Sequence, residues 1–191
     1  MNPVNPNLLL RLALLFYAPM LTGVFLLRPP GVLWVEDKMM LAAWLALSLG
    51  MGLAVVTLSR WSANHTQWGS RLRREFRQML GPLDAKQILW LSLLSSMGEE
   101  ILFRGVLQPR LGLWWTVLLF GLLHFPYRRQ MVPWTLFATL LGVVLAWLTE
   151  YSGSLWPAIL LHFYINHQNL RDIAESALEK AGTNPDGHEP D

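Results

Sequence analysis

Three ionisable side chains, Glu99, Glu100 and Arg104, lie within a stretch that is otherwise as apolar as a membrane helix. An ionisable side chain near the centre of a bilayer costs about 2.5–3.5 kcal/mol on insertion scales, so it requires a partner, water or a function. Candidate partners, among them His124 and His162, stand in two later apolar stretches. This collection of polar residues at depth predicts a reaction chamber inside a membrane protein.

The two adjacent glutamates are expected to have different roles. On a helix Glu99 and Glu100 point about 100° apart, so both carboxylates cannot face one target equally. Arg104 follows Glu100 by four residues, the spacing at which a Glu–Arg pair meets. The economical assignment pairs Glu100 with Arg104 and turns Glu99 toward the chamber. In the alternative, a buried ion pair and one protonated glutamate only hold the helices together.

The histidines and an asparagine occupy matching positions on other helices. His124 follows Phe120 by one turn near the end of its apolar stretch, where a lone histidine could also be interfacial. His162 and Asn166 are four residues apart, so they share a helix face. At about 1.5 Å per residue, these three residues and Glu99 fall between the midplane and about 12 Å from the cytoplasmic side of a core about 30 Å thick. The matching depths predict that the four side chains converge.

This set of residue types suits amide hydrolysis. A carboxylate and a neutral imidazole at one point can hold and deprotonate water, and a second histidine with an asparagine amide can donate to a developing oxyanion. No serine or cysteine nucleophile is in view. Glu99, His124 and His162 also form a set of ligand types that binds zinc. The helix-borne HExxH arrangement is absent, however, so dependence on a metal stays open.

Composition places the chain in a bilayer. It has 191 residues, of which 53% are hydrophobic and 15% charged, whereas soluble domains carry about 25% charged residues. The length allows one domain, and the absence of cysteine excludes disulfides and thiolate metal sites. The net charge of +2 does not imply nucleic acid as a partner. We expect the lipid bilayer and a peptide or membrane-anchored protein as partners, and the sequence leaves the oligomeric state open.

The apolar runs predict an all-α bundle of about six transmembrane helices, since each needs roughly 20 residues to cross. The runs cover 8–27, 39–58, 87–108, 112–126, 132–151 and 154–168. We expect the first to be a retained helix rather than a cleaved signal peptide, because no basic residue precedes it and no clear cleavage site follows. The domain is expected over 1–181, with the catalytic helices within 87–170 and a disordered tail over 182–191.

Basic residues predict the orientation. Six of them stand between the second and third spans, at Arg60, Arg71, Arg73, Arg74, Arg77 and Lys86. By the positive-inside rule both termini are cytoplasmic, and an even number of spans agrees. The expected location is a bacterial cytoplasmic (inner) membrane.

Two further patterns concern helix packing and the interface. Residues 68–80 form a basic amphipathic stretch, which suits a helix in the cytoplasmic interface but equally a loop that only sets the topology. Small residues recur every four positions in span two (Ala42, Ala46, Gly50, Ala54) and span five (Ala138, Gly142, Ala146). Such stripes predict close helix contacts.

The polar residues form three motifs that resemble those of a known family. The patterns EExxxR, FxxxH and HxxxN stand at 99–104, 120–124 and 162–166, in this order and each on a separate apolar helix. The chain therefore resembles the CPBP intramembrane proteases, which include CAAX prenyl endopeptidases and the bacteriocin-processing, self-immunity and abortive-infection relatives. The resemblance covers about 87–170.

The resemblance implies roles for individual residues. Glu99 and His124 would activate water, and His162 and Asn166 would stabilise the oxyanion, with Glu100 and Arg104 in support. Both a glutamate-type and a metal-dependent mechanism are held for the family, so zinc on Glu99, His124 and His162 is the one cofactor to consider. The resemblance does not transfer a substrate. The rival hypotheses are a non-catalytic immunity or scaffold protein, and a proton-coupled carrier, which would be expected to show repeated halves with broken helices.

Overall fold

The computed structural model describes residues 6–27, 38–124 and 128–182, and this part of the chain is helical without strands. The long helices are α1 (Pro6–Leu27), α2 (Lys38–His65), α3 (Gln67–Leu80), α4 (Ala85–Glu100), α6 (Leu113–Leu123), α7 (Val132–Ser152) and α8 (Trp156–Gly182). A π-helical stretch (Ile101–Leu107) and the short α5 (Gln108–Leu111) continue α4, and a 3₁₀ turn (Arg129–Met131) precedes α7. The expected all-α class is confirmed. Of the predicted tail over 182–191, Gly182 is the last residue of α8, and residues 183–191 lie outside the described residues, as does the Phe125–Pro126 end of span four.

Each predicted apolar run carries a helix, but two helices are longer than predicted. Helix α2 continues to His65 and α8 continues to Gly182, past the predicted ends at 58 and 168. Arg60 in the extension of α2 pairs with Asp172 in that of α8, Nε to Oδ2 at 2.7 Å. The polar residues that suggested an end to each run therefore stabilise a contact between the two extensions.

Helices α4 and α8 pack antiparallel and form the centre of the molecule. At one end Ile88 shares an apolar cluster with Ala174, and at the other Ile101 and Val106 share one with Leu155. Because residue numbers rise on one helix as they fall on the other, the polar positions of α4 between these clusters lie opposite those of α8.

The π-helical stretch follows the two glutamates directly and fixes this part of the chain to α7. Arg104 donates from Nη2 to the carbonyl of Gly142 at 2.9 Å. One turn further, Gln108 donates from Nε2 to the carbonyl of Ala146 at 3.1 Å. Isolated π-helical turns within α-helices are frequently found at functional sites, and this one positions Arg104.

The predicted contact face is correct for α7 and wrong for α2. Ala138, Gly142 and Ala146 of α7 are buried. The predicted α2 stripe, from Ala42 to Ala54, is exposed along its length.

The buried face of α2 instead carries Ser48, Gly52 and Val56, two positions, or about 200°, around the helix from the predicted stripe. Gly52 contacts α8 closely, since a Cβ there would lie 2.7 Å from Tyr164 Cδ1. Small residues occur on both faces of α2, so their spacing alone did not distinguish the packed face.

The basic amphipathic stretch is a helix, α3, which begins at an N-cap formed by Thr66. Its apolar side turns toward the bundle, with Leu80 in the cluster around Ile88 and Phe76 packed against it. Glu75 accepts from Arg128 at 2.8 Å, which connects α3 to the link between α6 and α7. The helix is thus part of the fold, and its location at the membrane interface stays a prediction.

Length and composition single out two of the described helices as able to cross a membrane, at Lys38–His65 and Arg129–Ser152. Helix α6 is apolar but has only 11 residues. The count of six spans and the orientation stay predictions.

Candidate active site

Four elements bring the predicted site residues together. Glu99 and Glu100 end α4, Arg104 lies in the π-helical stretch, and His124 directly follows α6. His162 and Asn166 lie one turn apart on α8. The result is two adjoining groups of polar side chains, one around each glutamate.

Glu100 forms the centre of a closed buried group. Its side chain and that of Arg104 are inaccessible, and Arg104 Nη1 lies 3.1 Å from Glu100 Oε1. His162 Nδ1 lies 2.8 Å from the same oxygen. Because the ionised carboxylate paired with Arg104 has no hydrogen to donate, it accepts the hydrogen bond from His162. Glu100 thereby fixes the ring of His162 from the side opposite to Nε2.

Two of the three guanidinium nitrogens of Arg104 form hydrogen bonds, and the buried Nε has no partner among the described residues. One guanidinium nitrogen bonds Glu100 and the other the carbonyl of Gly142, while Arg104 Cζ lies 4.4 Å from the centroid of the Phe120 ring, within the range of a cation–π contact. A Cβ at Gly142 would lie 3.1 Å from Phe120 Cδ1 and 3.5 Å from Arg104 Nη2. Glycine at 142 therefore makes room for the Phe120 ring, whereas a Cβ there would meet Arg104 at an ordinary contact distance.

Glu99 faces an open group. Its Oε1 accepts from the hydroxyl of Tyr17 at 2.6 Å. Its Oε2 lies 3.8 Å from His124 Nε2 and 3.9 Å from His162 Nε2, beyond direct hydrogen-bond distance, and accepts no hydrogen bond from the described part of the protein. The Glu99 side chain is 12% exposed and that of His124 18%, so this group is more accessible than the one around Glu100, although Glu99 Oε2 itself is buried.

The hydrogen bonds of the two histidines determine which nitrogen carries the proton. His124 Nδ1 lies 2.8 Å from the carbonyl oxygen of Phe120, which can only accept, so Nδ1 donates. His162 Nδ1 likewise donates to Glu100. In the neutral form of each ring, Nε2 is therefore an acceptor directed at Glu99. Three acceptor atoms, Glu99 Oε2, His124 Nε2 and His162 Nε2, therefore face one another.

His124 is positioned by its own chain and by α7. The hydroxyl of Thr135 donates to the backbone carbonyl of His124 at 2.5 Å, and the Trp134 ring lies with its centroid 5.1 Å from the imidazole. The Phe120 ring packs on the other side, at 4.4 Å. These contacts fix a residue that stands where the α-helix ends.

Asn166 lies at the edge of this group. Its Nδ2 donates to Ser95 Oγ at 3.0 Å, and Ser95 is one turn before Glu99 on α4. The pairs Ser95–Asn166 and Glu99–His162 thus follow the antiparallel packing of α4 and α8. The amide nitrogen has a second N–H, which a substrate oxygen next to Glu99 could use.

The open group has the ligand types of a zinc site, but not its spacing. A tetrahedral zinc ion with bonds of about 2.0–2.1 Å holds its ligand atoms about 3.3 Å apart, whereas His124 Nε2 and His162 Nε2 lie 3.8 and 3.9 Å from Glu99 Oε2. No group of three or more His, Asp or Glu at metal-binding separation occurs among the described residues. As arranged, these three residues do not fit the ion, and no step below is routed through a metal.

Sequence reasoning did not find Tyr17 and Ser95. Both contact a predicted site residue directly, Tyr17 on Glu99 and Ser95 on Asn166. For Ser95 a signal existed, because it precedes Glu99 by four residues and so shares its helix face. Tyr17 had only the weaker signal of a polar group inside the first apolar run.

Comparison with known proteins identifies the matched segment. A family model described as type II CAAX prenyl endopeptidase Rce1-like matches residues 82–167, which include all three motifs. The chain is also 28% identical over 159 residues to the uncharacterized protein YpbD of Bacillus subtilis (strain 168). This alignment spans 80% of the chain and 81% of YpbD. No solved structure matches.

The family whose model matches this segment is one of membrane-embedded proteases. Residues 82–167 match the model of the Rce1-like family of type II CAAX prenyl endopeptidases, and the resemblance of the three motifs to that family is thereby confirmed. Tyr17 lies outside the matched segment.

Proposed function

We propose that this protein is an intramembrane endopeptidase in which Glu99 and His124 activate water, and His162 and Asn166 stabilise the oxyanion. The observation that carries the proposal is the convergence of His124 Nε2 and His162 Nε2 on Glu99 Oε2, at 3.8 and 3.9 Å. These gaps are too wide for direct hydrogen bonds but suit a water molecule that donates to two of the acceptors.

The first step forms the carbon–oxygen bond. A substrate water donates one hydrogen to Glu99 Oε2 and the other to His124 Nε2, which leaves an oxygen lone pair for the scissile carbonyl carbon. As the bond forms, Glu99 takes a proton from the water, and the π electrons of the scissile carbonyl move onto the carbonyl oxygen. General-base assistance of this kind contributes about 10²–10⁴-fold.

The second step breaks the carbon–nitrogen bond. The Asn166 amide donates to the oxyanion, and His162 can add a second donor when it is doubly protonated, because its Nδ1 proton is already held by Glu100. The oxyanion then collapses, and the leaving amine takes the proton from Glu99. Glu100 and Arg104 would position His162 without touching the substrate.

The proposed topology has six spans with both termini cytoplasmic, in a bacterial inner membrane. It rests on the basic residues between α2 and α4 and on the opposite directions of α4 and α8. The chain has no cysteine, so a single introduced cysteine reports its own side. A Gln78→Cys variant should react with an impermeant maleimide only from the cytoplasm, and Leu111→Cys only from outside. The reverse pattern would refute this orientation.

The substrate class is proposed to be a peptide or the tail of a membrane-anchored protein. The test uses the purified full-length protein in phospholipid nanodiscs and an internally quenched farnesylated peptide that ends in a CAAX sequence. The same peptide without the farnesyl group measures whether the prenyl chain is recognised. Peptidomics of membranes with and without the protein extends the search to other substrates.

Glu99→Gln is the decisive variant, and Glu150→Gln is its matched control because Glu150 is exposed at the end of α7. We expect cleavage to disappear in the first and persist in the second. Absence of any Glu99-dependent product in both assays would contradict the proteolytic function and favour the scaffold hypothesis. Loss of cleavage on dialysis against a zinc chelator, with recovery on adding zinc, would show that the group rearranges around a metal.

A further inference from the structure

Helix α1 supplies a polar residue to the site. Among the described side chains of α1, Leu10, Ala13, Tyr17 and Met20 are partly buried and turn toward the bundle, whereas Leu8, Leu12 and Leu15 are exposed. Among the described α1 side chains, Tyr17 is the polar member of this inward face. Its hydroxyl donates to Glu99 Oε1 at 2.6 Å, across 82 residues of sequence.

The backbone of α4 is shaped to admit the tyrosine ring. A Cβ at Gly98 would lie 2.5 Å from Tyr17 Cδ1 and 3.2 Å from its Cγ, which is closer than carbon atoms can pack. Any larger residue at 98 would therefore displace the ring near its base rather than at a flexible tip. Glycine at 98 and the carboxylate at 99 together form a seat for the ring and the hydroxyl of Tyr17.

The contact determines which oxygen of Glu99 remains for chemistry. A carboxylate that accepts a short hydrogen bond at Oε1 has its plane fixed, so Oε2 stays directed at the two histidine Nε2 atoms. Without the hydroxyl, the side chain of Glu99 could rotate, and Oε2 would meet the histidines only part of the time. Preorganised reacting groups contribute substantially to rates for this reason.

We propose that Tyr17 is a positioning residue that orients the Glu99 carboxylate, and that α1 is thereby part of the active site. The inference rests on the proposed function, since the carboxylate to be oriented is the proposed base. It goes beyond the matched family segment, because residue 17 lies outside 82–167.

The kinetic test compares Tyr17→Phe, which keeps the ring over Gly98 and removes only the hydroxyl, with Tyr151→Phe, whose side chain is 73% exposed. With the farnesylated peptide in nanodiscs, we expect Tyr17→Phe to lower kcat about 10- to 100-fold, the range for one hydrogen bond to a charged group. KM and the melting temperature should stay close to those of the wild type. Gly98→Ala should lower kcat similarly, because it moves the ring.

A second measurement does not depend on cleavage. Dicyclohexylcarbodiimide modifies carboxyl groups in membranes, and peptide mass spectrometry can follow its reaction at Glu99 relative to exposed Glu175 in the same molecule. We expect labelling of Glu99 to be several-fold faster in Tyr17→Phe, which leaves Oε1 without its donor, and unchanged in Tyr151→Phe.

The kinetic and labelling measurements distinguish a failure of the proposed function from a failure of the positioning role of Tyr17. If the wild type cleaves nothing in a Glu99-dependent way, the proposed function fails, and the labelling rate alone decides the role of Tyr17. Labelling of Glu99 that is unchanged in Tyr17→Phe overturns the inference. So does a kcat equal to that of the wild type when Glu99→Gln is inactive.

Discussion

Glu99 and Glu100 are adjacent in sequence and lie in opposite environments. The Glu100 side chain is fully buried and shares one oxygen between Arg104 and His162. Glu99 is partly exposed, bonds Tyr17 on one oxygen and directs the other at two imidazoles. The difference follows from the 100° step between neighbours on a helix. It indicates that one carboxylate serves the structure of the site while the other is available for its chemistry.

The largest effect should come from the open group. Glu99→Gln keeps the volume but cannot accept a proton, so cleavage should fall by at least about 10³-fold while the protein accumulates normally. His124→Ala should be similarly inactive. The double variant should be hardly worse than either, since residues that act as a unit are not additive. Product formation in nanodiscs measures cleavage, and quantitative immunoblotting of membranes measures how much of each variant accumulates.

The assignment of different roles to Glu99 and Glu100 would be contradicted if their variants behaved alike. Glu99→Gln that failed to accumulate would place Glu99 in the structural group. Full activity of Glu99→Gln would remove it from the chemistry altogether.

The closed group should show the reverse behaviour. Arg104→Ala leaves the Glu100 carboxylate buried without its cation, which is expected to cost about 3–5 kcal/mol of stability. The protein should therefore accumulate poorly or melt at a lower temperature, and activity should fall along with the folded fraction. Arg110→Ala, at an exposed arginine of α5, is the control. An Arg104→Ala protein that is as stable and active as the wild type would contradict the structural role.

Asn166 should have a smaller, purely kinetic effect. Asn166→Ala removes one proposed oxyanion donor, so kcat should fall about 10²–10³-fold with little change in KM. Ser95→Ala removes the acceptor of Asn166 Nδ2 at 3.0 Å and should reproduce a part of that loss. If Ser95→Ala lowers the melting temperature as strongly as it lowers kcat, the Ser95–Asn166 pair belongs to the packing of α4 on α8 instead.

The smallest effects concern two glycines. Gly142→Ala introduces a methyl group 3.1 Å from Phe120 Cδ1, beside Arg104, whereas nothing lies within 4 Å of a Cβ at Gly50. Alanine is the better helix former by up to about 1 kcal/mol, so Gly50→Ala should match or exceed the wild type in melting temperature. Gly142→Ala should melt below Gly50→Ala, because crowding at Phe120 offsets this gain. Equal melting temperatures would mean that the contact between Arg104 and α7 tolerates the added methyl group.

The sequence predicted the elements better than their contact faces. The six apolar runs and the amphipathic stretch all became helices, because hydrophobicity and period are local properties. The packed face of α2 was wrong, since the exposed Ala42–Ala54 stripe and the buried Ser48–Gly52–Val56 face have the same spacing of small residues. Helix α8 extends beyond the apolar run that ended at 168, because its polar extension contacts other elements through Asp172 on Arg60 and Ala174 in the cluster with Ile88.

For the site, the sequence by itself determined the residue types, their helical spacing and hence the resemblance to the family. The i, i+4 spacing also determined that Glu100 and Arg104 could meet, because both lie on one continuous helical segment. Only the tertiary structure decided three hydrogen bonds. His162 donates through Nδ1 to Glu100, Asn166 donates to Ser95, and Tyr17 of α1 donates to Glu99. Each of these contacts joins helices that are distant in sequence. Their partners depend on how the helices pack and rotate against each other, and no local periodicity encodes that.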